Sequence, residues 1–245
     1  MKKKKILLLG ARSDIAKALS YKFAEAGYEI QLAAREACSL IEDKTYIEHK
    51  YNTRVTLVNF DVLDINSHEI FVDSLKQLPD VVICAIGYLA KEDKNQLDVT
   101  TKIKIIRSNF EGPANILDVF ANKFEQYSNG ILVGISSVAG ERGRGTNYIY
   151  GSAKAGFTAF LSGLRSRLAK KGVHVITVLP GYVKTKMTDH LVLPDFLTAK
   201  PSEVANRVFD AVKNKDDIIY VYKIWRYIMM IIRNIPESIF KKLKM

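Results

Sequence analysis

The chain has 245 residues, of which 48% are hydrophobic and 26% are charged, so it is long and apolar enough for one large domain and is not a disordered chain. Its two cysteines exclude a disulfide-stabilised scaffold. The formal charge of +11 lies mostly at the ends, with +4 in Lys2 to Lys5, +5 in residues 223–245 and only +2 in residues 6–222. This nearly neutral body argues against nucleic-acid binding, which needs basic residues spread along one face.

Short apolar runs alternate with segments of helical periodicity along most of the chain. The predicted strands are Ile6–Leu9, Glu29–Ala34, Val55–Phe60, Val81–Ile86, Ile131–Ile135, Val173–Leu179 and Asp217–Val221. The predicted helices are 15–26, 36–51, 66–77, 97–124, 148–170 and 202–213. This order predicts the α/β class, a Rossmann-type doubly wound parallel sheet of about seven strands with helices on both faces. Residues 1–222 are expected to form one domain, and residues 223–245 a basic amphipathic C-terminal extension.

The turn between the first strand and the first helix has the small residues that a dinucleotide site needs. Such a turn must be tight, because the backbone approaches the pyrophosphate at the helix N-terminus. Gly10 suits the turn, but Asp14 stands where such loops carry a second glycine. A carboxylate there is favourable if it faces away, as a capping or first-turn residue. The cofactor contacts predicted from this loop are Gly10, Arg12, Ser13, Asp14 and Ile15.

Arg35 follows the second predicted strand and bears on the choice between NADP(H) and NAD(H). Enzymes that use NAD carry an acidic residue there, whereas the 2′-phosphate of NADP requires a cation. Arg35, helped by Arg12, therefore favours NADP(H) over NAD(H), although it could also be an ordinary solvent-facing arginine. Asp61 and Val62, after the third strand, are expected at the adenine, although Asp61 also suits a plain turn.

The catalytic prediction depends on three residues. Ser137 lies at the end of the fifth predicted strand, and Tyr150 and Lys154 lie one helical turn apart. A nearby ammonium is expected to lower the pKa of the Tyr150 phenol, which could then supply a proton while the Ser137 hydroxyl holds a carbonyl oxygen. A Tyr-xxx-Lys pair alone is also typical of an ordinary amphipathic helix, but the serine 13 residues upstream makes the signal specific.

With these residues the chain resembles the short-chain dehydrogenase/reductase family over about residues 5–222. The resemblance implies that Tyr150 is the general acid/base, that Ser137 orients the carbonyl, and that Lys154 lowers the Tyr150 pKa and holds the nicotinamide ribose. It adds Asn109, in Ile-Arg-Ser-Asn-Phe, as the holder of a water in the proton relay. It also implies cofactor contacts from the segment that follows the sixth strand and from the residue that ends the fourth, namely Pro180, Gly181, Val183, Thr185 and Gly87.

The resemblance has two departures, since the glycine-rich loop keeps only its first glycine and the family's Asn-Asn-Ala-Gly reads Cys84-Ala-Ile-Gly87. The implied activity is an NADP(H)-dependent reduction of a carbonyl to an alcohol, or the reverse. One alternative is a non-catalytic membrane-surface or scaffold protein on a reductase fold. Another is a sugar-nucleotide epimerase or dehydratase, for which the C-terminal region is too short.

The expected substrate is a small-molecule or lipid-linked carbonyl compound. The loop and the tail are loosely similar to those of the family branch that acts on polyprenyl-phosphoryl 2-keto-pentoses, so a lipid-linked keto sugar is one hypothesis. Residues 186–200 are expected to form a short lid. The residues expected near the carbonyl are Ser137, Gly87, Tyr88, Gly143, Tyr182 and Met187.

Residues 223–245 combine aromatic, aliphatic and cationic side chains. This mixture predicts either contact with a membrane surface, with Trp225 and Tyr227 at headgroup depth, or a helix packed on the parent sheet or on a second subunit. The family resemblance implies a homodimer or homotetramer. The apolar run Ile6–Leu9 is too short for a signal peptide and no run reaches the ~20 residues of a membrane span, so the expected location is the cytoplasm, with peripheral contact at the inner face of the membrane under the first alternative. The four histidines lack metal-ligand spacing, so no metal is predicted.

Overall fold

The computed structural model of the chain describes residues 3–90 and 97–243, so Lys2 and Lys244 of the two basic ends lie outside the described residues. The strands are β1 (Lys5–Leu9), β2 (Glu29–Ala34), β3 (Val55–Asn59), β4 (Val81–Cys84), β5 (Gly130–Ile135), β6 (Val173–Leu179), β7 (Tyr182–Val183), β8 (Thr198–Ala199) and β9 (Ile218–Tyr220). The helices are α1 (Asp14–Glu25), α2 (Ile41–Tyr51), α3 (His68–Ser74), α4 (Val99–Ile106), α5 (Gly112–Tyr127), α6 (Tyr148–Leu168), α7 (Pro201–Asn214), α8 (Ile224–Asn234) and α9 (Glu237–Phe240).

Seven of these strands form one parallel sheet in the order β3-β2-β1-β4-β5-β6-β9, which confirms the predicted doubly wound sheet. Side chains alternate across it, as in β1, where Ile6 and Leu8 face one core and Leu7 and Leu9 face the other. The first core includes α1, α2 and α7, and the second includes α3, α5 and α6. The strand order reverses beside β1, so the crevice between the carboxyl ends of β1 and β4 is the expected ligand site.

Two predicted helices differ from the structure, and for the first of them the cause is visible. The segment predicted to start a helix at residue 36 has Glu36 in the left-handed region (φ 51°), followed by a single 3₁₀ turn, and α2 begins only at Ile41. The cause is tertiary, because the Ala37 N–H donates to Oδ1 of Asn59 at 2.8 Å, at the end of β3. The helix predicted over 97–124 is interrupted by a π-helical turn at Arg107–Glu111.

The segment predicted as a lid, residues 186–200, is held at its base by a small sheet that was not predicted. Strands β7 and β8 pair in parallel, with Tyr182 opposite Thr198 and Val183 opposite Ala199. The intervening residues therefore form a closed loop beside the carboxyl end of β6.

The C-terminal extension packs on the parent fold. Trp225 is 3% exposed and Met229 is fully buried, and both contact a cluster that includes Leu179 at the end of β6. The prediction of Trp225 at headgroup depth is therefore wrong, whereas Tyr227, two residues later, is 62% exposed. Within residues 3–90 and 97–243, no helix is long and apolar enough to cross a membrane.

Candidate active site

Gly10 forms the turn at the end of β1 that the loop pattern predicted. It has φ +83°, and the N–H groups of Gly10 and Ala11 both donate to the Ala33 carbonyl oxygen at 3.0 and 3.1 Å. A Cβ at position 10 would lie 2.8 Å from Cγ1 of Ile86 and 3.0 Å from the Ala85 carbonyl oxygen. Glycine is required here because the turn packs directly against the chain that leaves β4.

The polar residues after Gly10 stabilise the start of α1 and connect it to the lid. Ser13 is the N-cap, and its Oγ accepts a hydrogen bond from the Ala16 N–H at 3.1 Å. Asp14, in the first turn, accepts from the Lys186 N–H at 2.7 Å through Oδ2. The carboxylate that replaces the second glycine therefore joins the loop after β1 to the segment after β7.

A first cavity of about 360 Å³ lies beside the carboxyl ends of β1, β2 and β3. Its walls include the two exposed cations Arg12 and Arg35. Asp61 also borders it, while Oδ1 of Asp61 accepts from the Leu63 N–H at 3.0 Å and so forms a turn as well. The predicted residues that line this cavity are Gly10, Arg12, Ser13, Arg35, Asp61, Val62 and Gly87.

A second cavity of about 290 Å³ adjoins the first and shares Arg12, Ser13 and Gly87 with it. Its predicted lining residues are Asp14, Ile15, Ser137, Tyr150, Lys154, Pro180, Gly181, Val183 and Thr185. All the residues predicted to contact the cofactor thus border one or both of these cavities. Two joined compartments, with cations in the first and a tyrosine–lysine pair in the second, suit the two halves of a dinucleotide.

Ser137 is held by its own turn and by the packing of β5 on α6. Its Oγ accepts a hydrogen bond from the Ala139 N–H at 3.1 Å at the start of a 3₁₀ turn. The preceding Ser136 donates through Oγ to the Lys154 carbonyl oxygen at 3.1 Å, which connects the end of β5 to the helix that carries Tyr150. Ser137 and Tyr150 consequently border the same cavities although they are far apart along the chain.

Lys154 and Asn109 both lie close to Gly87, where a Cβ would be 3.7 Å from the Lys154 Nζ and 3.0 Å from the Asn109 Oδ1. Lys154 is 3% exposed and its Nζ donates to the Ile135 carbonyl oxygen at 3.0 Å. Asn109 is fully buried in the π-helical turn, and its Nδ2 donates to the carbonyl oxygens of Tyr88 at 2.7 Å and Ile105 at 2.8 Å. Asn109 therefore fixes the backbone that follows Gly87, a role that its position in the sequence did not predict.

Burial shifts the pKa values of the tyrosine–lysine pair in opposite directions. Desolvation raises the pKa of Tyr150 to about 12, against a lowering effect of the Ser137 hydroxyl, and desolvation lowers the pKa of Lys154 to about 8. The prediction that Lys154 lowers the Tyr150 pKa is wrong for this conformation. The reason is geometric, since the Lys154 Nζ is bound to Ile135 and lies 5.9 Å from the centroid of the Tyr150 ring.

A third cavity, of about 580 Å³, opens from the second and shares Ser137, Tyr150, Gly181 and Met187 with it. We call it the substrate cavity. Of the residues expected near the carbonyl, Ser137, Tyr182 and Met187 border it. Gly87 and Tyr88 border the first cavity instead, and Gly143 is exposed and borders none of the three.

The sequence reasoning missed several residues of the substrate cavity, namely Arg144, Asn147, Trp225, Ile228 and Ile232. Arg144 and Asn147 lie between Ser137 and Tyr150 in the sequence. This position between two predicted site residues could have indicated that they border the same cavity. The other three lie at helical spacing on α8, and this spacing marks its inward face. The helical spacing does not show that this face covers the cavity, because that depends on tertiary packing.

Trp225 fastens α8 to the segment after β6. A Cβ at Gly181 would overlap the Trp225 indole, so the helix packs directly on the backbone of Gly181. The indole Nε1 donates to the Leu197 carbonyl oxygen at 3.3 Å, and the Tyr182 ring meets the indole edge-on at 5.3 Å. One side chain thus connects the tail, the segment after β6 and the base of the lid.

Comparisons with known proteins agree with this architecture. The family model described as short chain dehydrogenase matches residues 4–194. An uncharacterised oxidoreductase of Mycobacterium tuberculosis is 29% identical over 241 residues, covering 97% of this chain and 96% of that protein. A short-chain dehydrogenase of Sphingobium yanoikuyae in complex with NADPH superposes with a TM-score of 0.82 at 20% identity, covering 96% of this chain and 97% of the other. A short chain dehydrogenase of Burkholderia cenocepacia in complex with NADP gives 0.83 at 17% identity, covering 100% and 98%.

Proposed function

The chain belongs to the short chain dehydrogenase family, and from this premise we propose that it is an NADP(H)-dependent oxidoreductase that interconverts a carbonyl compound and an alcohol. The observation that carries the proposal is the position of Ser137 and Tyr150 on the boundary between the second cavity and the substrate cavity. At this boundary one group can be reached both from a cofactor and from a substrate. The two relatives with NADPH or NADP bound support the choice of cofactor.

Tyr150 is the proton donor in the direction of reduction. Hydride transfer is the chemistry that the nicotinamide supplies when it is bound. The carbonyl oxygen then needs a proton, which the Tyr150 hydroxyl donates, and the reverse reaction returns that proton to the phenolate. With a pKa of about 12 the phenol is protonated at neutral pH but is a weaker acid than free tyrosine, so proton donation requires the bound cofactor and substrate to lower this pKa. Ser137 holds the same carbonyl oxygen by a hydrogen bond.

Lys154 and Asn109 complete the catalytic set in this proposal. Nζ of Lys154 faces the second cavity, and the Ile135 carbonyl oxygen fixes its direction. Lys154 would hold the ribose of the nicotinamide half, and the proton that Tyr150 donates would be returned to it through the relay that the family resemblance implies. Asn109 keeps the chain after Gly87 in place, and we retain the relay water at Asn109 as a prediction from the family resemblance.

The test of this proposal removes one hydroxyl. Tyr150→Phe is expected to lower the rate of NADPH-dependent ketone reduction by roughly 10²- to 10⁴-fold, the usual contribution of a general acid. Tyr148→Phe, an exposed position on the same helix, is the matched control and should retain the wild-type rate. A Tyr150→Phe protein as active as the control would contradict the role of Tyr150. A wild-type protein that binds NADPH without turning over any ketone would favour the scaffold alternative.

Arg12 and Arg35 are the basis for preferring NADP(H) over NAD(H). Both are exposed cations on the wall of the first cavity, where the 2′-phosphate of an adenosine half would lie. Thermal unfolding in the presence of NADPH and NADH tests this preference directly. At 100 times its dissociation constant, a ligand stabilises a protein by about 2.7 kcal/mol. Equal shifts with the two cofactors at equal concentration would remove the role assigned to Arg35.

The finer substrate hypothesis is a lipid-linked keto sugar reached from a membrane surface. The outward face of α8 supports it, since Ile224, Tyr227 and Ile231 are 45%, 62% and 63% exposed, and the cations Arg226, Lys241 and Lys242 are exposed near them in the chain. Apolar side chains bordered by cations are typical of segments that bind anionic lipid surfaces.

Co-sedimentation with phosphatidylglycerol vesicles tests this contact without disturbing the inward face. The triple variant Ile224→Ser, Tyr227→Ser and Ile231→Ser should lose vesicle binding and keep its activity on a water-soluble ketone. Binding that is unchanged in the triple variant, or absent in the wild-type protein, would contradict membrane contact.

Assembly into a homodimer or homotetramer stays a prediction from the family. Val99 and Ile103 project from α4 with 70% and 52% exposure, which supports burial of this helix between subunits. Sedimentation equilibrium of the wild-type protein and of Val99→Glu/Ile103→Glu measures the oligomeric state. A wild-type monomer at micromolar concentration would contradict the prediction.

A further inference from the structure

The substrate cavity has mostly apolar walls. Ser137 and Tyr150 border it on the catalytic side, α8 contributes Trp225, Ile228 and Ile232, and the lid loop contributes further apolar side chains, Leu191, Val192, Leu193, Pro194 and Leu197. Its volume of about 580 Å³ lies within the range of ~300–1,000 Å³ that is usual for small-molecule sites. Such walls favour a substrate with an apolar body.

One cation, Arg144, stands in this apolar wall without an acidic partner. Its Nε is buried and has no hydrogen-bond partner, and its Nη2 lies 3.5 Å from Sδ of Met229, a weak acceptor. No carboxylate among residues 3–90 and 97–243 forms an ion pair with it. Arg144 is partly buried, and a buried N–H without an acceptor is costly, so an anion that binds the guanidinium would offset that cost.

Arg142, two residues earlier, shows that this state is particular to position 144. Arg142 donates to the carbonyl oxygens of Arg233 at 3.1 Å and Ile235 at 3.3 Å and to the carboxylate of Glu237 at 2.6 Å. The ring of Phe240 also lies 4.3 Å from its guanidinium carbon. The loop therefore carries one arginine whose donors bind the tail and another that borders the cavity and has no oxygen acceptor among the described residues.

Asn147 adds a second unfilled polar group to the same wall. Its Oδ1 is buried and has no hydrogen-bond partner, although its backbone begins α6. Arg144 and Asn147 lie six and three residues before Tyr150 in the chain and border the same cavity as Tyr150. Both groups are available to polar atoms of a molecule whose carbonyl lies at Ser137 and Tyr150.

We infer that Arg144 forms an anion subsite in the substrate cavity, so that the preferred substrate is a ketone, or the matching alcohol, with an apolar body and a carboxylate or phosphate group. A guanidinium binds either anion through two parallel hydrogen bonds, and the low local dielectric strengthens them. Asn147 binds a polar atom next to that group. This inference rests on the proposed function, because it takes Ser137 and Tyr150 as the carbonyl site.

Trp225 is the only tryptophan of the chain and borders the substrate cavity, so its fluorescence reports binding there without turnover. The probes are benzoylpropionate, its methyl ester and the phosphate monoester of the same carbon skeleton. The wild-type protein should bind at least one of the two anions more tightly than the ester, by about 10- to 100-fold, the usual effect of a charge-assisted pair. The anion that binds more tightly shows whether the subsite prefers a carboxylate or a phosphate group.

Arg144→Met should abolish this preference and leave the affinity for the ester within about threefold, since it removes the charge and keeps an apolar wall. Arg226→Met, which removes an exposed cation from the outward side of α8, is the matched control and should keep the preference. The inference is overturned if the wild-type protein binds neither anion better than the ester, or if Arg144→Met weakens acid and ester equally.

The same compounds separate this inference from the proposed function. If NADPH-dependent reduction proceeds on the ester as well as on either acid, the oxidoreductase proposal stands and the anion subsite fails. If the anions bind as expected through Arg144 and no ketone is reduced, the subsite stands and the proposed reaction fails.

Discussion

The two halves of the cleft are built from different parts of the chain. The cofactor half uses residues that directly follow strands of the sheet, such as Gly10 after β1, Arg35 after β2 and Ser137 after β5. The substrate half is formed by the loop before α6, the lid loop and α8, which is the last long helix of the described chain. The first half is therefore specified locally, and the second depends on contacts between segments that are far apart in sequence.

This difference separates binding of the cofactor from the fit of the substrate. Residues of the cofactor half are held by the sheet itself, which is buried on both faces. Residues of the substrate half are held by the tail, through Trp225 on Gly181 and Arg142 on the carbonyl oxygens at Arg233 and Ile235. Substitutions in the tail should therefore change substrate kinetics and stability more than cofactor affinity.

The largest expected effect is that of Trp225→Ala. Removing this buried side chain leaves a cavity beside Gly181 and should lower the free energy of unfolding by about 3–5 kcal/mol. In any protein that remains folded, KM for the carbonyl substrate should rise by a larger factor than Kd for NADPH, because the indole borders the substrate cavity itself and reaches the cofactor half through the backbone of Gly181. Tyr227→Ala, on the outward side of the same helix, should change stability by no more than about 0.5 kcal/mol. A parallel loss of NADPH affinity in Trp225→Ala would contradict the division into two halves.

Lys154 lies at the boundary of the two halves, and its pKa makes stability depend on pH. The native pKa of about 8 lies below the ordinary value of 10.5, so between these values the unfolded chain binds more protons than the native protein. Stability of the wild-type protein relative to Lys154→Met should therefore rise as the pH increases through this range, by roughly 2–3 kcal/mol in total. Urea unfolding of both proteins at several pH values measures this difference. Parallel pH profiles would show that the ammonium is not desolvated.

Arg35→Ser should affect the cofactor half alone. Loss of a charge-assisted contact to the 2′-phosphate is expected to weaken NADPH binding by roughly 10- to 100-fold and to leave NADH binding unchanged. Arg54→Ser is the matched control, since Arg54 is an exposed arginine that precedes β3 and so lies at the opposite end of the sheet. Titration of both cofactors into each variant gives the comparison, and an equal loss for NADPH and NADH would refute it.

Arg142→Met should have the smallest effect. It removes hydrogen bonds and an exposed ion pair between the loop and the tail, which together contribute about 1–2 kcal/mol to stability. Arg144→Met changes the same charge in the same loop and should leave the stability nearly unchanged. If Arg144→Met had a lower unfolding midpoint than Arg142→Met, Arg144 and not Arg142 would be the residue that stabilises the packing of the tail.

The doubly wound parallel sheet could be predicted from the sequence because it depends on short apolar runs, and the predicted cofactor residues border the first two cavities because most of them end or follow those runs. The pKa of Tyr150 could not, since the i, i+4 spacing places Lys154 on the same helical face and does not reveal that its Nζ is bound to Ile135. The tail was ambiguous for a related reason. Its composition suits both a membrane surface and a protein interior, and only the packing on Gly181 shows that Trp225 is buried.

The contact between Gly181 and Trp225 has a consequence for how this protein can change over evolutionary time. Any side chain at position 181 would occupy the space of the indole, and any loss of the indole would leave position 181 uncovered. The two positions, 44 residues apart in the chain, are therefore under one selective constraint. We expect lineages that replace the aromatic residue on the tail helix to be the ones in which position 181 is free to drift away from glycine.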